Sequence, residues 1–190
     1  MAKPKAPPPT LQLVAVFSRH EQAVQWAMKR IETNWGEIGL KSEIFDHSET
    51  NYYAAEMGEG LQKQFAIVSS SALGNGFYDP AKLAVHKLQS NQWELELAEN
   101  ANYPSQRPVN IDPGYLTLTK LVLASAKDRA HRIYLSDGIY AEESLYYLDR
   151  RWQSRPWTYP DYQRKDFHTF FEQAREFLKD KITESNRSTP

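Results

Sequence analysis

Between Arg107 and Tyr162, ionisable and hydroxyl side chains interleave with apolar ones at strand-like spacing instead of gathering on polar loops. Asp112, Tyr115, Lys120, Lys127, His131, Arg132, Tyr134, Tyr140 and Glu142 all fall in this stretch. Asp137-Gly138 separates two alternating runs, His131–Ser136 and Ile139–Leu148. Both residues of a two-residue type I′ turn need positive φ, which Asp-Gly supplies. Such a turn pairs Ser136 with Ile139, Tyr134 with Ala141, Arg132 with Glu143 and His131 with Ser144. Cross-strand partners share a face, so Glu142 stands diagonal to His131 among Ile133, Leu135 and Tyr140. A carboxylate and an imidazole on a half-apolar face shift each other's pKa, which suits general acid–base work. The same pair can equally brace the hairpin without doing chemistry. Arg132 opposite Glu143 reads as a structural ion pair.

Asn110-Ile111-Asp112-Pro113-Gly114-Tyr115 reads as a turn, with Pro fixing φ at its second position and Gly tolerating positive φ after it. Asp112 either caps that turn or points with Tyr115 into the cavity of His131. Lys120 and Lys127 would add positive charge suited to phosphate or carboxylate. Residues 105–165 carry ten Lys/Arg against seven Asp/Glu, whereas residues 21–60 carry three against eight. An anionic ligand therefore favours the later region. Asp46, Asp112, His131 and Glu142 lack any metal-ligand spacing such as H-E-x-x-H, so no metal site is assigned and the cofactor stays unknown. No P-loop, no G-x-S-x-G elbow and no RNA-recognition aromatic pattern is present.

These residues need a frame. Residues 1–9 are a Lys/Pro tail that reads as disordered. Leu11–Phe17 is an apolar run suited to a buried strand. Ser18 and Glu21 form a capping box for a helix to Trp35, with Val24, Ala27, Met28, Ile31 and Trp35 as its inner stripe and Gly36 as its stop. Trp26 lies on the opposite side of that helix. Leu40–Asp46 and Phe65–Ser69 suit strands, residues 69–80 a loop. Leu83–Leu88 reads as a strand, followed by a short helix capped by Ser90 and carrying Trp93 and Leu97. Val109–Ile111 and Leu116–Ala124 read as extended. A final amphipathic helix runs from about Arg164 to Ile182 on the stripe of Phe167, Phe170, Phe171, Ala174, Phe177, Leu178 and Ile182, and residues 183–190 read as a frayed tail. The expected fold is α+β: one domain over 10–182, a mainly antiparallel sheet with an N-terminal βαβ-like, ferredoxin-like unit, a long Asp-Gly hairpin and a C-terminal helix packed on the sheet.

The absence of cysteine excludes disulfides, thiolate metal sites and thiol catalysis, and suits a reducing cytoplasm. A net charge of −1 gives no global basic field to draw the chain to nucleic acid. No window approaches the ~20 apolar residues of a membrane span, and the start MAKPKAPPP lacks the apolar core of a signal peptide. The expected protein is soluble and cytoplasmic.

The string VNIDPGYLTLTKLVLASAKDRAHRIYL, the following DGIYAE, the closing PWTYPDY and the upstream YYAAEMGEGL resemble a bacterial family known as domain of unknown function 4416. The resemblance spans roughly residues 10–180 and implies a single-domain member of that family. It adds Tyr52, Tyr53 and Glu56 to the candidate set, along with Trp157, Tyr159, Asp161 and Tyr162. If the chain brings 52–57, 112–142 and 157–162 together, these residues line one cleft. One function is then a pocket for a small anionic ligand, phosphorylated ones included, with His131, Glu142 and Asp112 for acid–base work and Lys120, Lys127, Arg132, Tyr115, Tyr134, Tyr140, Tyr52, Tyr53 and Glu56 as ligand contacts. The alternative is a non-enzymatic module that meets protein or RNA through exposed Trp26, Trp152, Trp157 and tyrosines. A third is that the polar residues only brace the sheet.

Overall fold

The computed structural model describes residues 1, 3–47, 53–69, 76–100 and 102–187. The chain opens on β1 (Leu11–Ser18), buried along its whole length, and α1 (Glu21–Trp35). Strand β2 (Glu37–Lys41), the two-residue β3 (Phe45–Asp46), the short α2 (Ala54–Met57) and β4 (Gln62–Ser69) follow. Then come α3 (Leu83–Asn100), β5 (Asn110–Leu116), β6 (Lys120–Ser125), β7 (Ile133–Ser136), β8 (Ile139–Leu148), β9 (Arg151–Ser154) and α4 (Lys165–Arg187).

The strands form one antiparallel sheet in the order β2-β4-β1-β5-β6-β8-β7, with β3 beside β4 and β9 beside β8. Strands β1 and β2 both run antiparallel to β4, which lies between them, so β1–α1–β2 is a split βαβ. With α3 and β5 the order β2-β4-β1-β5 completes the ferredoxin-like βαββαβ unit. Helices α1 and α3 share one face, where Ala27, Ile31, Trp93 and Leu97 pack on Val14, Val16, Ala66 and Ile111. Strands β6 to β9 extend the sheet, and α4 covers the opposite face through Phe167, Phe170, Phe171, Ala174 and Leu178. The alternation of β1 sends Leu11, Leu13 and Ala15 to the α4 side and Val14 and Val16 to the other.

Several expectations need correcting. Ser18 does not cap α1: its Oγ donates to Pro108 O at 2.5 Å and accepts from His20 N, and His20 stands at the N-cap without a side-chain bond. Leu40–Asp46 is not one strand but the end of β2 and, after a break, the whole of β3. Leu83–Leu88 is the start of an 18-residue helix, entered through a 3-10 turn whose Asp79 accepts from Ala81 N at 3.0 Å. Asn110–Leu116 is a strand, not a turn. Helix α4 continues past Ile182 to Arg187. The loop expected over 69–80 lies partly outside the described residues.

The hairpin turn forms at Asp137-Gly138 with both φ positive, 51° and 77°. Its register differs from the expected one. Ser136 pairs with Ile139, but a bulge at Leu135 brings Tyr134 opposite Tyr140 and Ile133 opposite Ala141. An extra residue on one strand of a pair shifts every later partner by one.

Candidate functional site at the parting of two strands

Strands β5 and β6 pair only where Gly114, Tyr115 and Leu116 meet Leu123, Val122 and Leu121. Beyond Gly114 they part: β5 stays on β1 down to Asn110, while β6 stays on β8 up to Ser125. Gly114 sets the point of closest approach, since a Cβ there would meet Val122 O at 2.5 Å. Below it the open edge of β5 needs other partners. Glu94 Oε1 accepts from Ile111 N at 2.7 Å, and Lys87 Nζ donates to Ile111 O at 3.2 Å. The main-chain groups of Pro113, two residues on, face the same edge, and proline brings no N–H to leave unpaired there.

The polar side chains around this opening form a connected set. Lys87 Nζ also donates to Asp112 Oδ1 at 2.8 Å, and Asn110 Nδ2 donates to Asp112 Oδ2 at 2.6 Å. Arg107 donates to Asn110 Oδ1, and through Nε and Nη2 to Glu94 Oε2 at 3.0 and 2.7 Å. Among the described residues its Nη1 has only the distant Glu56 Oε2 at 3.6 Å, and Glu56 is exposed. The two carboxylates diverge in pKa. Burial raises that of Glu94 despite Lys87 and Arg107. Burial also pushes Asp112 up, but the Lys87 ammonium, the hydrogen bonds from Lys87 and Asn110, and the Arg107 charge together hold it below the usual range.

On the other bank, Arg132 is the hub. Its Nε donates to Glu142 Oε2 at 2.8 Å, Nη1 to Ser125 Oγ and Lys127 O at 2.7 Å each, and Nη2 to Tyr159 OH at 2.6 Å. Glu142 also meets His131 Nε2 at 3.1 Å and accepts from Ser144 Oγ at 3.1 Å. His131 stacks on Trp157, centroids 5.2 Å apart and 8° from parallel. Trp157 Nε1 donates to Glu143 O, and Thr158 Oγ1 donates to Ser144 O, so the segment after β9 is tied onto β8.

A third pair completes one end of the sheet. Lys63, Phe17 and Asn110 lie in one row across β4, β1 and β5. Lys63 donates to Asp161, its ammonium 4.9 Å from the Phe17 ring centre. Tyr53 sits edge-on against Phe17 at 5.0 Å. The hydroxyls of Tyr53, Tyr159 and Tyr162 are each pushed up first by burial, and each feels the Asp112 charge. Three stretches far apart in the chain, 53–56, 107–142 and 157–162, thus meet at the strand opening.

The family model for Domain of unknown function DUF4416 matches residues 8–177. The chain belongs to the DUF4416 family. No curated protein and no solved structure matches it.

In this DUF4416 chain the candidates fall into two groups. Asp112, His131, Arg132, Glu142, Tyr53 and Glu56 lie at the opening or on its rim. Tyr115 does not share a cavity with Asp112: it alternates to the opposite face and packs with Leu83, Val122 and Ile139. Lys120 lies at the far end of β6, across from Tyr146. Lys127 contributes its backbone carbonyl to Arg132. Tyr134 and Tyr140 meet edge to face on the outer hairpin, their ring centroids 5.4 Å apart. Tyr52 lies outside the described residues. Arg132 pairs with Glu142 and not Glu143, as the bulged register requires, and Glu143 takes Arg155 instead, with Nε donating at 2.7 Å. Trp152 is buried, Trp26 half-buried and Trp157 exposed.

Sequence reasoning missed Lys87, Glu94, Arg107 and Asn110. The signal was present in α3, whose buried line Leu83, Lys87, Ser90, Glu94 and Leu97 keeps helical spacing once polar residues are admitted to it.

Proposed function

We propose that this protein binds a small polar ligand carrying an anionic group, phosphorylated metabolites included, at the opening between β5 and β6. The observation that carries the reading is the set of ion pairs gathered there: Lys63–Asp161, Lys87–Asp112, Arg107–Glu94 and Arg132–Glu142. Buried ion pairs seldom stabilise a fold more than apolar packing of equal volume. A cluster of them where the sheet opens is better explained by what it meets than by stability.

The donors and acceptors suit such a ligand. Asp112, partly exposed and held ionised, would accept from ligand hydroxyl or amine groups. Tyr53 and Tyr159, held neutral by burial, would donate to its oxygens, with the Tyr159 oxygen already fixed by Arg132. Arg107 Nη1, which lies 3.6 Å from Glu56 Oε2, is the cationic donor best placed to receive the anion in exchange for that loose contact. The exposed ring of Trp157 beside Tyr159 offers a platform for a planar or sugar ring. Glu142, 2 % exposed and bonded to three donors, holds His131 and Arg132 in place in this reading instead of exchanging protons itself. A cysteine-free chain suits a reducing compartment, and a bacterial cytoplasmic setting is part of the proposal.

The test is a thermal-shift screen with inorganic phosphate, nucleoside monophosphates and sugar phosphates. A binder adds RT ln(1 + [L]/Kd) to the stability of the folded chain and so raises the midpoint. The expected result is at least one saturable shift that disappears in Arg107→Ala; the opposite result is a shift of equal size in that variant.

A further inference from the structure

Helix α3 carries a second stripe that the fold leaves uncovered. Its inward line fills the core, yet its exposed positions before the final residue Asn100 are Val85, Leu88, Gln92, Leu95 and Glu99, alternating by three and four residues. That is the a/d spacing of a helix-pairing seam. Val85 is 60 % exposed, Leu88 40 % and Leu95 57 %. Isolated apolar residues at a surface need no explanation, but three on one heptad line of one helix form a strip.

The charges on the same helix run against its macrodipole. No acidic residue lies in its first turn and no basic residue in its last. Asp79 caps the 3-10 turn leading in and Lys82 stands within it, while at the carboxyl end Glu96 is paired with Arg30 and Glu99 is exposed. Anions favour helix N-termini and cations C-termini, so Lys82 and the exposed Glu99 are the two charges set against the dipole in the isolated chain. An antiparallel neighbour of the same sequence reverses the balance, because each helix sets its acidic end beside the other's amino end.

We infer that α3 is a self-association surface, docking antiparallel on α3 of a second copy across a twofold axis. The twofold passes near Ser90. Val85 then faces Leu95 of the partner subunit, Leu88 faces Gln92 of the partner subunit, and Lys82 faces the partner's Glu99. Each contact occurs twice, as an isologous interface requires.

The test is sedimentation equilibrium of the full chain over a wide concentration range. The expected mass is twice the chain's 22.0 kDa. Leu88→Glu and Leu95→Glu should each raise the dissociation constant by about 30-fold or more. Their helical circular dichroism should stay unchanged, because neither side chain is in the core. Lys82→Glu should weaken the dimer by about threefold to tenfold while raising the monomer's own thermal midpoint. Glu99→Lys should restore association in the Lys82→Glu background. A chain monomeric at every concentration overturns the proposal, as does a dimer indifferent to Leu88→Glu and Leu95→Glu. A double charge exchange that fails to restore association overturns the antiparallel register.

Discussion

Lys87 and Asp112 meet at 2.8 Å although they start from opposite sides of the sheet. Lys87 belongs to α3, whose neighbours Trp93 and Leu97 pack with Ile111 on the α1 side, whereas Asp112 alternates with Ile111 and leaves its strand towards α4. An ammonium can reach through a sheet only where two strands have parted. The opening below Gly114 is that gap, and the pair spans it.

Removing the ammonium should therefore change Asp112 more than any other group. In the native chain its folded pKa lies below the ordinary 3.8, so its stabilisation is present above that value and lost as pH falls through the folded one. In Lys87→Met the burial that opposes ionisation dominates, the folded pKa rises above 3.8, and the charge destabilises once pH exceeds it. The expected cost at pH 7 is about 1–3 kcal/mol, discounted for the partial exposure of the carboxylate. Urea unfolding at pH 3 and pH 7 measures both ends of the window; a loss of equal size at both would contradict the assignment.

Arg132 and Glu142 are a deeper pair, 4 % and 2 % exposed at their side chains. Arg132→Met should destabilise by about 3–5 kcal/mol, because it strands a buried carboxylate. Adding Glu142→Leu should recover most of that loss. A double-mutant cycle in urea reads the coupling directly, and a near-zero coupling energy would show that the pair is not what holds this bank of the opening.

Gly114→Ala probes the parting itself. Its Cβ would press on Val122 O, a backbone atom that cannot swing away. We expect a loss of about 1–3 kcal/mol and faster amide exchange at Tyr115 and Val122, which pair across the two strands that must separate. Unchanged exchange at both positions would contradict the close approach.

His86 supplies a pH signal away from the opening. It stacks on Trp35 at 4.7 Å, and Gln12 Nε2 lies 2.7 Å from its Nδ1. Burial first, then the Lys82 charge, lowers its pKa from 6.5 to about 4. The unfolded chain therefore binds a proton that the folded one refuses between those values. Stability should be full above pH 6.5 and fall as pH drops towards 4. His86→Phe should keep the stack and flatten that dependence, measured by unfolding midpoints across the window.

What the sequence made legible follows pattern strength. β1 carries an unbroken apolar run and α4 a continuous apolar stripe, so β1, the start of α4 and the Asp-Gly turn emerged close to their true places, while α4 runs five residues further than its stripe. The elements around the opening did not. The α3 stripe is interrupted by Lys87, Ser90 and Glu94, so it scans as strand and fragment; Lys87 and Glu94 are polar because they serve the open edge of β5, while Ser90 bonds back to the carbonyl of Lys87. Pro113 and Gly114 imitate a turn, yet one sits where no N–H is wanted and the other where two strands nearly touch. The bulge at Leu135 has no mark in the sequence, and it moved the Arg132 partner from Glu143 to Glu142. Local rules failed where long-range contacts decide the outcome.

The most direct test of the proposed binding site is calorimetric titration of the strongest phosphate-bearing binder into the native chain, Asp112→Asn and Tyr159→Phe. The account predicts a weakening of about tenfold or more for Asp112→Asn, the loss of one charged hydrogen bond, with a smaller loss for Tyr159→Phe. Affinities in both variants equal to that of the native chain would contradict it.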